Sequence, residues 1–403
     1  MDRYVLIDPE ELRKSLQLAC KWLVEIAQVK TEGLAIEKNS KKHLHQTWKG
    51  SIRGEYSVAK NEWDFFCPVW HTGQAIKALV AAYKVLGENR LLQAAMFSAD
   101  FLGRERVSEK GNEHHGLIFA FEDRGDMVNT SAILECLDGL ISLSEVSGDI
   151  SYWGWVVDAL KWVAKRAYIT DEGLFRDCFS IKTWQFEPPP WRNPQGWPGR
   201  PLLDDGVFLK AYHYTGNPEF RRIFYETANR LLKEEEPPGN WIRFTPCNVE
   251  TGSIHPRHAY WWGRPMLMAY RDSGEAKYLE CAIRSGQWYI DAQRVDGGLF
   301  RGTYRNFKTD SFGHATSGIA CASILWHELW EITGDDRWLK SIEKAMAYCM
   351  KMQFRNTKDS NLQGAILEKV LPPDGTDSSP YHIRDLGTIF FIQAASRILY
   401  DTI

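Results

Sequence analysis

Apolar residues in this chain fall into two alternating kinds of run. In one kind every face carries Ala, Leu, Ile, Val, Met or an aromatic, the pattern of a helix enclosed by other helices. In the other, apolar residues recur at three- and four-residue spacing and leave a charged face for solvent. Five segments join one run of each kind through a tight turn that contains glycine. They open with GQAIKALVAAYKVL at Gly73, TSAILECLDGLISL at Thr130, DDGVFLKAYHYTG at Asp204, GRPMLMAYRDSG at Gly263 and SGIACASILWHEL at Ser317. Their turn glycines, Gly87, Gly148, Gly216, Gly274 and Gly334, recur at intervals of about 60 residues, which marks an array of helical hairpins.

The two ends of the chain supply a sixth pair. DLGTIFFIQAASRILYDTI, from Asp385, is apolar like the first helix of a unit and has no partner after it. ELRKSLQLACKWLVEIAQ, from Glu11, is amphipathic and has no partner before it. If helix 11–28 packs on helix 385–401, six hairpins close into an all-α (α/α)6 toroid spanning 1–403 as one domain, apolar helices inside and amphipathic helices outside. Closure buries the edges that an open array must cap. Strand-like pieces lie in the connections: GLIFAFED at Gly116, GLFRDC at Gly173, NWIRF at Asn240, GLFRGTY at Gly298 and QGAILEK at Gln363. Each precedes an inner helix, so all are expected as short β-hairpins at one end of the ring. Connections this long are usually functional. The longest, Asp177 to Leu203, is stiffened by Pro and carries Trp184, Trp191 and Trp197, which suit the wall of a cleft.

A net charge of -3 over 403 residues gives no reason to expect a nucleic-acid or anionic-membrane partner. The eight cysteines are scattered without a C-x-x-C pair, which points to reduced core thiols and a cytoplasmic location. Neither an apolar leader nor a run of about 18 apolar residues occurs. Trp, Tyr and Phe reach 13% of the chain, more than a core needs, and part of that excess lies in the loops.

Candidate chemistry gathers in NWIRFTPCNVETGSIHPRHAYWWGRPMLMAY, Asn240 to Tyr270, where a polar aromatic loop runs into an apolar helix. His255, Arg257, His258, Trp261, Trp262 and Arg264 stand at that junction, and His314 lies in an equivalent loop. Charged groups and flat aromatic faces crowded at the entrance to a core suit a sugar. Asp204 and Asp205 open the third inner helix, and Asp123 and Asp126, in FEDRGDMVN, precede the second. One Asp per helix would be explained by capping, but both sites have two. Facing carboxyls can split their pKa values into an acid and a base, which glycoside chemistry requires. No spacing resembles a metal signature, and P-loop, G-x-S-x-G and strand-borne G-x-G-x-x-G motifs are missing, so no metal or cofactor is expected.

These parts resemble the unsaturated glucuronyl and rhamnogalacturonyl hydrolases, six-hairpin (α/α)6 enzymes. FEDRGDMVNTS and PLLDDGVFLKAY are similar to that family's two acidic helix entrances. WIRFTPCNVETGSIHPRHAYWWGRPMLMAY is similar to its loop ending in a W-A-R-G-Q-x-W type motif, and TDSFGHATSGIACASIL to its D-S-S-x-x-A-I-A type motif. Gly263-Arg264 reverses the family's Arg-Gly order, and Pro265 replaces Gln, so the chain is expected to be a divergent relative. The resemblance implies a glycoside hydrolase acting on an oligosaccharide that ends in an unsaturated uronic acid. Asp204 or Asp205 would be its acid and base and Asp126 the partner charge. Arg257 or Arg264 would meet the carboxylate, and Trp191, Trp261 or Trp262 would stack on the ring. Two other readings stay open: an epimerase or lyase with His255, His258 or His314 as base, and a non-catalytic carbohydrate-binding protein.

Overall fold

The computed structural model describes residues 7–31, 47–189, 196–309, 313–370 and 382–400. It contains twelve α-helices among those residues. Six form an inner ring: α2 (Pro68–Leu86), α4 (Thr130–Ser147), α6 (Val207–Thr215), α8 (Arg264–Ser273), α10 (Thr316–Thr333) and α12 (Leu386–Tyr400). The outer six are α1 (Pro9–Trp22), α3 (Asn89–Arg104), α5 (Ser151–Arg166), α7 (Pro218–Lys233), α9 (Ala276–Ala292) and α11 (Asp336–Lys351). Helix α12 packs on both α1 and α2, so the array shuts on itself. The fold is a six-hairpin toroid, all-α with small antiparallel strands in the connections. No described helix is long and apolar enough to cross a membrane.

Two sets of glycines set the hairpin geometry. The turn glycines Gly87, Gly148, Gly216, Gly274 and Gly334 have φ between 66° and 75°, and each donates its N–H back into the last turn of the inner helix, as at Gly87 to Tyr83 O. This left-handed C-cap ends the helix where the amphipathic partner must begin. The second set fixes hairpin to hairpin. Gly50, Gly116, Gly173, Gly239, Gly297 and Gly364 all have positive φ, and a Cβ on each would lie within 2.6 Å of a carbonyl oxygen of the next outer helix around the ring. Those oxygens belong in turn to Phe97, Asp158, Glu226, Arg284, Lys344 and Leu18. The last contact runs from the loop after α11 to α1 and completes the circle.

The first inner helix starts at Pro68, five residues before the Gly73 expected from the apolar pattern, because proline at its first turn needs no N–H partner and carries Trp70 and His71 into the helix. All inner helices start at the end that carries the strands, and the C-termini of α2, α4, α6, α8 and α10 meet the turn glycines at the other end. The strand-like pieces appear as short pairings, including Tyr168–Ile169 with Leu174–Phe175 and the bridges of Ile118, Trp241, Phe300 and Ile366.

A six-fold backbone contact of this kind makes a graded prediction. Gly364→Ala, with φ of 98° and a Cβ that would lie 2.4 Å from Leu18 O, is expected to destabilise by about 2–4 kcal/mol. Gly87→Ala, where the added Cβ meets nothing within 4 Å, is expected to lose only about 1–2 kcal/mol, the left-handed backbone penalty. Thermal denaturation of both variants checks the order, and equal losses would disprove the closing contact as a determinant of stability.

Candidate active site

Side chains at the inner-helix starts form two charged poles joined by one tryptophan. On one side α4 opens with Thr130-Ser131, and the buried Asp177, from the loop after α5, accepts from Ser131 N at 2.9 Å. Arg200 holds that carboxylate at 2.7 Å and donates to Ser131 Oγ at 2.7 Å. One turn into α4 comes Glu135, and beside it stands Asp204, 1% exposed, with Oδ2 buried and no hydrogen-bond partner. Burial lifts the Glu135 carboxyl well above its usual range, and the nearby Asp204 adds to this. Burial pushes Asp204 up to about 8, with Asp205 and Asp177 adding to the rise against the opposing charge of Arg200. The two carboxyls share a small hollow with Trp261 and Trp262, and desolvation there favours the neutral form of each.

Sequence neighbours here have opposite roles. Asp205 adopts φ 51° and is followed by Gly206 at 61°, so the chain turns left-handed twice before α6. That turn sends Asp205 into the ring axis, where it accepts from Tyr260 OH at 2.9 Å, Gln74 Nε2 at 3.2 Å and Arg264 Nη1 at 3.2 Å, and pairs with Lys77. Asp205 is a saturated ionic anchor, whereas Asp204 keeps one buried oxygen without a hydrogen-bond partner.

Across the ring, α10 repeats the same start. Thr316-Ser317 is capped by Glu368 from the loop after α11, through Ser317 N at 2.8 Å and Ser317 Oγ at 2.7 Å. Glu368 also lies 3.7 Å from Arg301 and 4.0 Å from Arg257, while Arg384 binds Glu55 through Nε at 2.7 Å. Three arginines therefore face two carboxylates among the described residues. Burial, Arg384 and Arg257 bring Arg301 down to about 10, against the pull of Glu368. Arg257 Nε and Arg301 Nη1 are buried without a hydrogen-bond partner.

Trp261 links the poles. Its Nε1 donates to Glu135 Oε1 at 3.0 Å, and its ring lies 5.4 Å from the Arg257 guanidinium and 4.7 Å from the His255 ring. Trp261 stands on a π turn, Ala259–Gly263, that leads into α8; the widened turn rotates it out of the helical register.

The remaining residues proposed from the sequence are dispersed. Asp126 sits in the turn before Met127 and pairs with Lys182 at 2.7 Å. Asp123 lies in the strand Phe121–Arg124, with its side chain outside the described set, and Trp191 lies outside the described residues. Arg264 is deep in the axis, bound to Glu328 at 2.7 Å and to Asp205. Trp262 is buried against Trp241 and Phe244 while still edging the front hollow.

All three histidines are engaged. His258 is buried between Asn240 and Tyr289, and burial brings it down to about 3. His255 accepts from Arg257 N through Nδ1 at 3.2 Å, and burial together with Arg257, Arg301 and Arg384 holds it far below the usual imidazole range. His314 Nδ1 is tied to Tyr348 OH. Sequence reasoning passed over Glu135, Asp177, Arg200, Arg301, Arg384, Glu55 and Glu368. For Glu135 a signal existed: a glutamate inside an otherwise apolar inner helix has to be there for a reason other than packing.

This architecture is that of six-hairpin (α/α)6 sugar enzymes. Among solved structures, an unsaturated glucuronyl hydrolase specific for heparin superposes with a TM-score of 0.69 at 16% identity, covering 97% of each chain. A cellobiose 2-epimerase from Bacillus thermoamylovorans superposes at 0.68 with 13% identity over 96% of this chain and 99% of that one. A D-mannose isomerase superposes at 0.66 with 13% identity over 100% of both. No protein-family model matches the sequence, and no curated protein matches it. At such identities the likeness is one of fold.

Removing each neighbouring Asp is expected to have opposite effects. Asp205→Asn leaves Lys77 and Arg264 short of a buried counter-charge and is expected to destabilise by about 3–5 kcal/mol. Asp204→Asn removes a carboxyl whose pKa is raised in the folded chain. Such a group binds more protons folded than unfolded between about pH 4 and its folded value, so it erodes stability as pH climbs through that window. The stability difference should therefore shift in favour of Asp204→Asn from pH 4 to 8. Denaturant titrations at several pH values test this, and a pH-independent difference would refute the buried neutral acid.

Proposed function

We propose that the chain is a carbohydrate-active enzyme, a glycoside hydrolase acting on an acidic saccharide by carboxyl acid–base catalysis. The observation that carries this reading is the span of Trp261, which hydrogen-bonds the Glu135/Asp204 pole at one edge and lies against Arg257 of the arginine pole. A sugar whose carboxylate meets Arg257 and Arg301 would place its ring over Trp261 and its reacting bond towards Asp204. The hollow beneath the acids has room for about 10 Å³, so the ring binds above them, and one water fits between.

In the hydrolase reading, protonated Asp204 delivers its proton, and the Asp204 carboxylate so formed then takes one from the attacking water, with the Glu135 carboxyl beside it. With an unsaturated uronide the proton adds to C4 of the C4=C5 double bond and hydroxide to C5; the resulting hemiketal opens and releases the neighbouring sugar. The likeness to a heparin-specific unsaturated glucuronyl hydrolase supports this substrate class. An epimerase or isomerase would need an imidazole lone pair as base. The Nδ1 of His255 already accepts a backbone N–H, so its neutral ring carries the proton on Nε2, and His258 is enclosed between Asn240 and Tyr289.

Incubation with unsaturated glucuronyl disaccharides, followed by loss of the double-bond ultraviolet absorbance, provides the test. Turnover is expected, falling at least about 100-fold in Asp204→Asn and Glu135→Gln, with Arg301→Met raising KM more than it lowers kcat. Incorporation of solvent deuterium at a sugar carbon without bond cleavage would replace this reading with epimerisation. Full activity in both carboxyl variants would exclude the pair.

A further inference from the structure

An arginine and an aspartate buried side by side normally pair, and at the acid pole they do not. Arg200 and Asp204 stand on one loop and line the same small hollow. Asp204 Oδ2, buried there, nevertheless has no hydrogen-bond partner. The guanidinium is committed elsewhere: Nε donates to Asp177 Oδ2 at 2.9 Å, Nη2 to Ser131 Oγ at 2.7 Å and Nη1 to the carbonyl of Thr245 at 3.2 Å. Nη2 also lies 2.7 Å from Asp177 Oδ2, so two arms of the planar fork close on that carboxylate.

Helix capping accounts for one oxygen of Asp177, since Oδ1 accepts from Ser131 N at 2.9 Å at the start of α4. It does not account for Oδ2 and its arginine. The matching start of α10 shows the difference. There Glu368 caps Ser317 in the same way, but Arg301 and Arg257 stand 3.7 Å and 4.0 Å from it, and Arg301 Nη1 and Arg257 Nε have no hydrogen-bond partner. At α10 the brace leaves guanidinium donors open, whereas at α4 it occupies them. Around the two acids stand Asp177 from the loop after α5, Arg200 and Asp205 from the segment before α6, Glu122 from the strand Phe121–Arg124, and Arg257 and Tyr260 from the segment before α8. Of these cations, Arg200 acts on both acids.

We infer that Asp177 is a positioning residue: it holds the Arg200 guanidinium away from Asp204, so that the Asp204 carboxyl is left to serve as the proton donor. Without that hold, Arg200 turns to the neighbouring carboxyl and keeps it ionised, as an arginine does beside an aspartate. The inference rests on the reading of Asp204 as the acid and names the residue that makes it one.

Denaturant titrations of a double-mutant cycle between Asp177→Asn and Asp204→Asn, run from pH 4 to 8, are the test. Asparagine keeps the capping oxygen and removes the charge. In the parent protein the stability difference should move in favour of Asp204→Asn as pH rises. In the Asp177→Asn background Arg200 binds Asp204, whose folded value then lies below the unfolded one. Its carboxylate stabilises above about pH 4 and stops doing so below, so the upward trend should disappear. Asp177→Glu, which retains the charge, is expected to restore the trend. On unsaturated glucuronyl disaccharides, Asp177→Asn is expected to move the alkaline limb of the kcat/KM profile down by about one pH unit or more. An unchanged trend in Asp177→Asn would overturn the inference and leave Asp204 as the acid, whereas a flat trend in the parent protein would overturn both. Should Asp177→Asn fail to fold, Ser131→Ala decides: it removes one anchor of Arg200 and is expected to weaken the trend, and no change there overturns the inference.

Discussion

A layer of buried charge crosses the axis of the toroid, and the placement of nearly everything else follows from it. Lys77 of α2 binds Asp138 of α4 at 2.9 Å and Asp205 at the head of α6, while Lys210 of α6 reaches back to Asp138. Arg264 of α8 joins Asp205 to Glu328 of α10, and Gln393 of α12 holds Gln74 of α2 at 3.0 Å. Arg397 with Glu331 ties α12 to α10 at 2.8 Å, so a circuit of polar contacts touches all six inner helices. Burying ions is expensive, and an apolar plug could be as stable; what matched pairs add is a fixed register, because any slip strands a charge without its partner. Among them burial alone would push Lys77 down, but Asp138 and Asp205 outweigh it and hold the ammonium above its usual range.

The layer also divides the interior. Above it, at the end with the strands, the carboxyls of Glu135 and Asp204 lie beside each other, and burial outweighs the pull of Arg200 and favours their neutral forms. Below it lies an open hollow with basic side chains on its rim. The left-handed turn at Asp205 and Gly206 is what assigns two adjacent aspartates to these two environments, one to the axis and one to the mouth. Strain of this sort persists where the surrounding contacts over-determine it, and four partners on the Asp205 carboxylate do so. Neighbours of the same fold include a hydrolase, an epimerase and an isomerase, so the ring specifies where a site can be built and the side chains at its mouth specify the chemistry.

How much of this was legible depended on distance along the chain. The helical hairpins, their turn glycines and the apolar inner ring follow from local periodicity, and they are seen as read. The π turn that swings Trp261 between the poles is a register change of a single residue, invisible to a pattern with period 3.6. The second set of glycines, at Gly50, Gly116, Gly173, Gly239, Gly297 and Gly364, looked like loop residues because the carbonyls they touch are 42 to 53 positions onward, or in one case at the far end of the chain. Asp126 stood close to an inner helix in sequence, yet it pairs with Lys182 in the turn after the neighbouring strand Cys178–Ser180, while Glu135, hidden inside a helix pattern, meets Asp204.

By itself, then, the order of residues determined the repeat, the inside and outside of each hairpin, and the end at which polar chemistry collects, since all of these arise from interactions within about 60 residues. Only the closed ring decided which charges neutralise each other and which remain. Asp205, Arg264 and Lys77 are far apart in sequence and become partners only when the inner helices converge, and the Asp204 carboxyl is pushed towards its neutral form only because that convergence removes water from around it. Pairing and desolvation are properties of three-dimensional proximity, so no local pattern could have reported them.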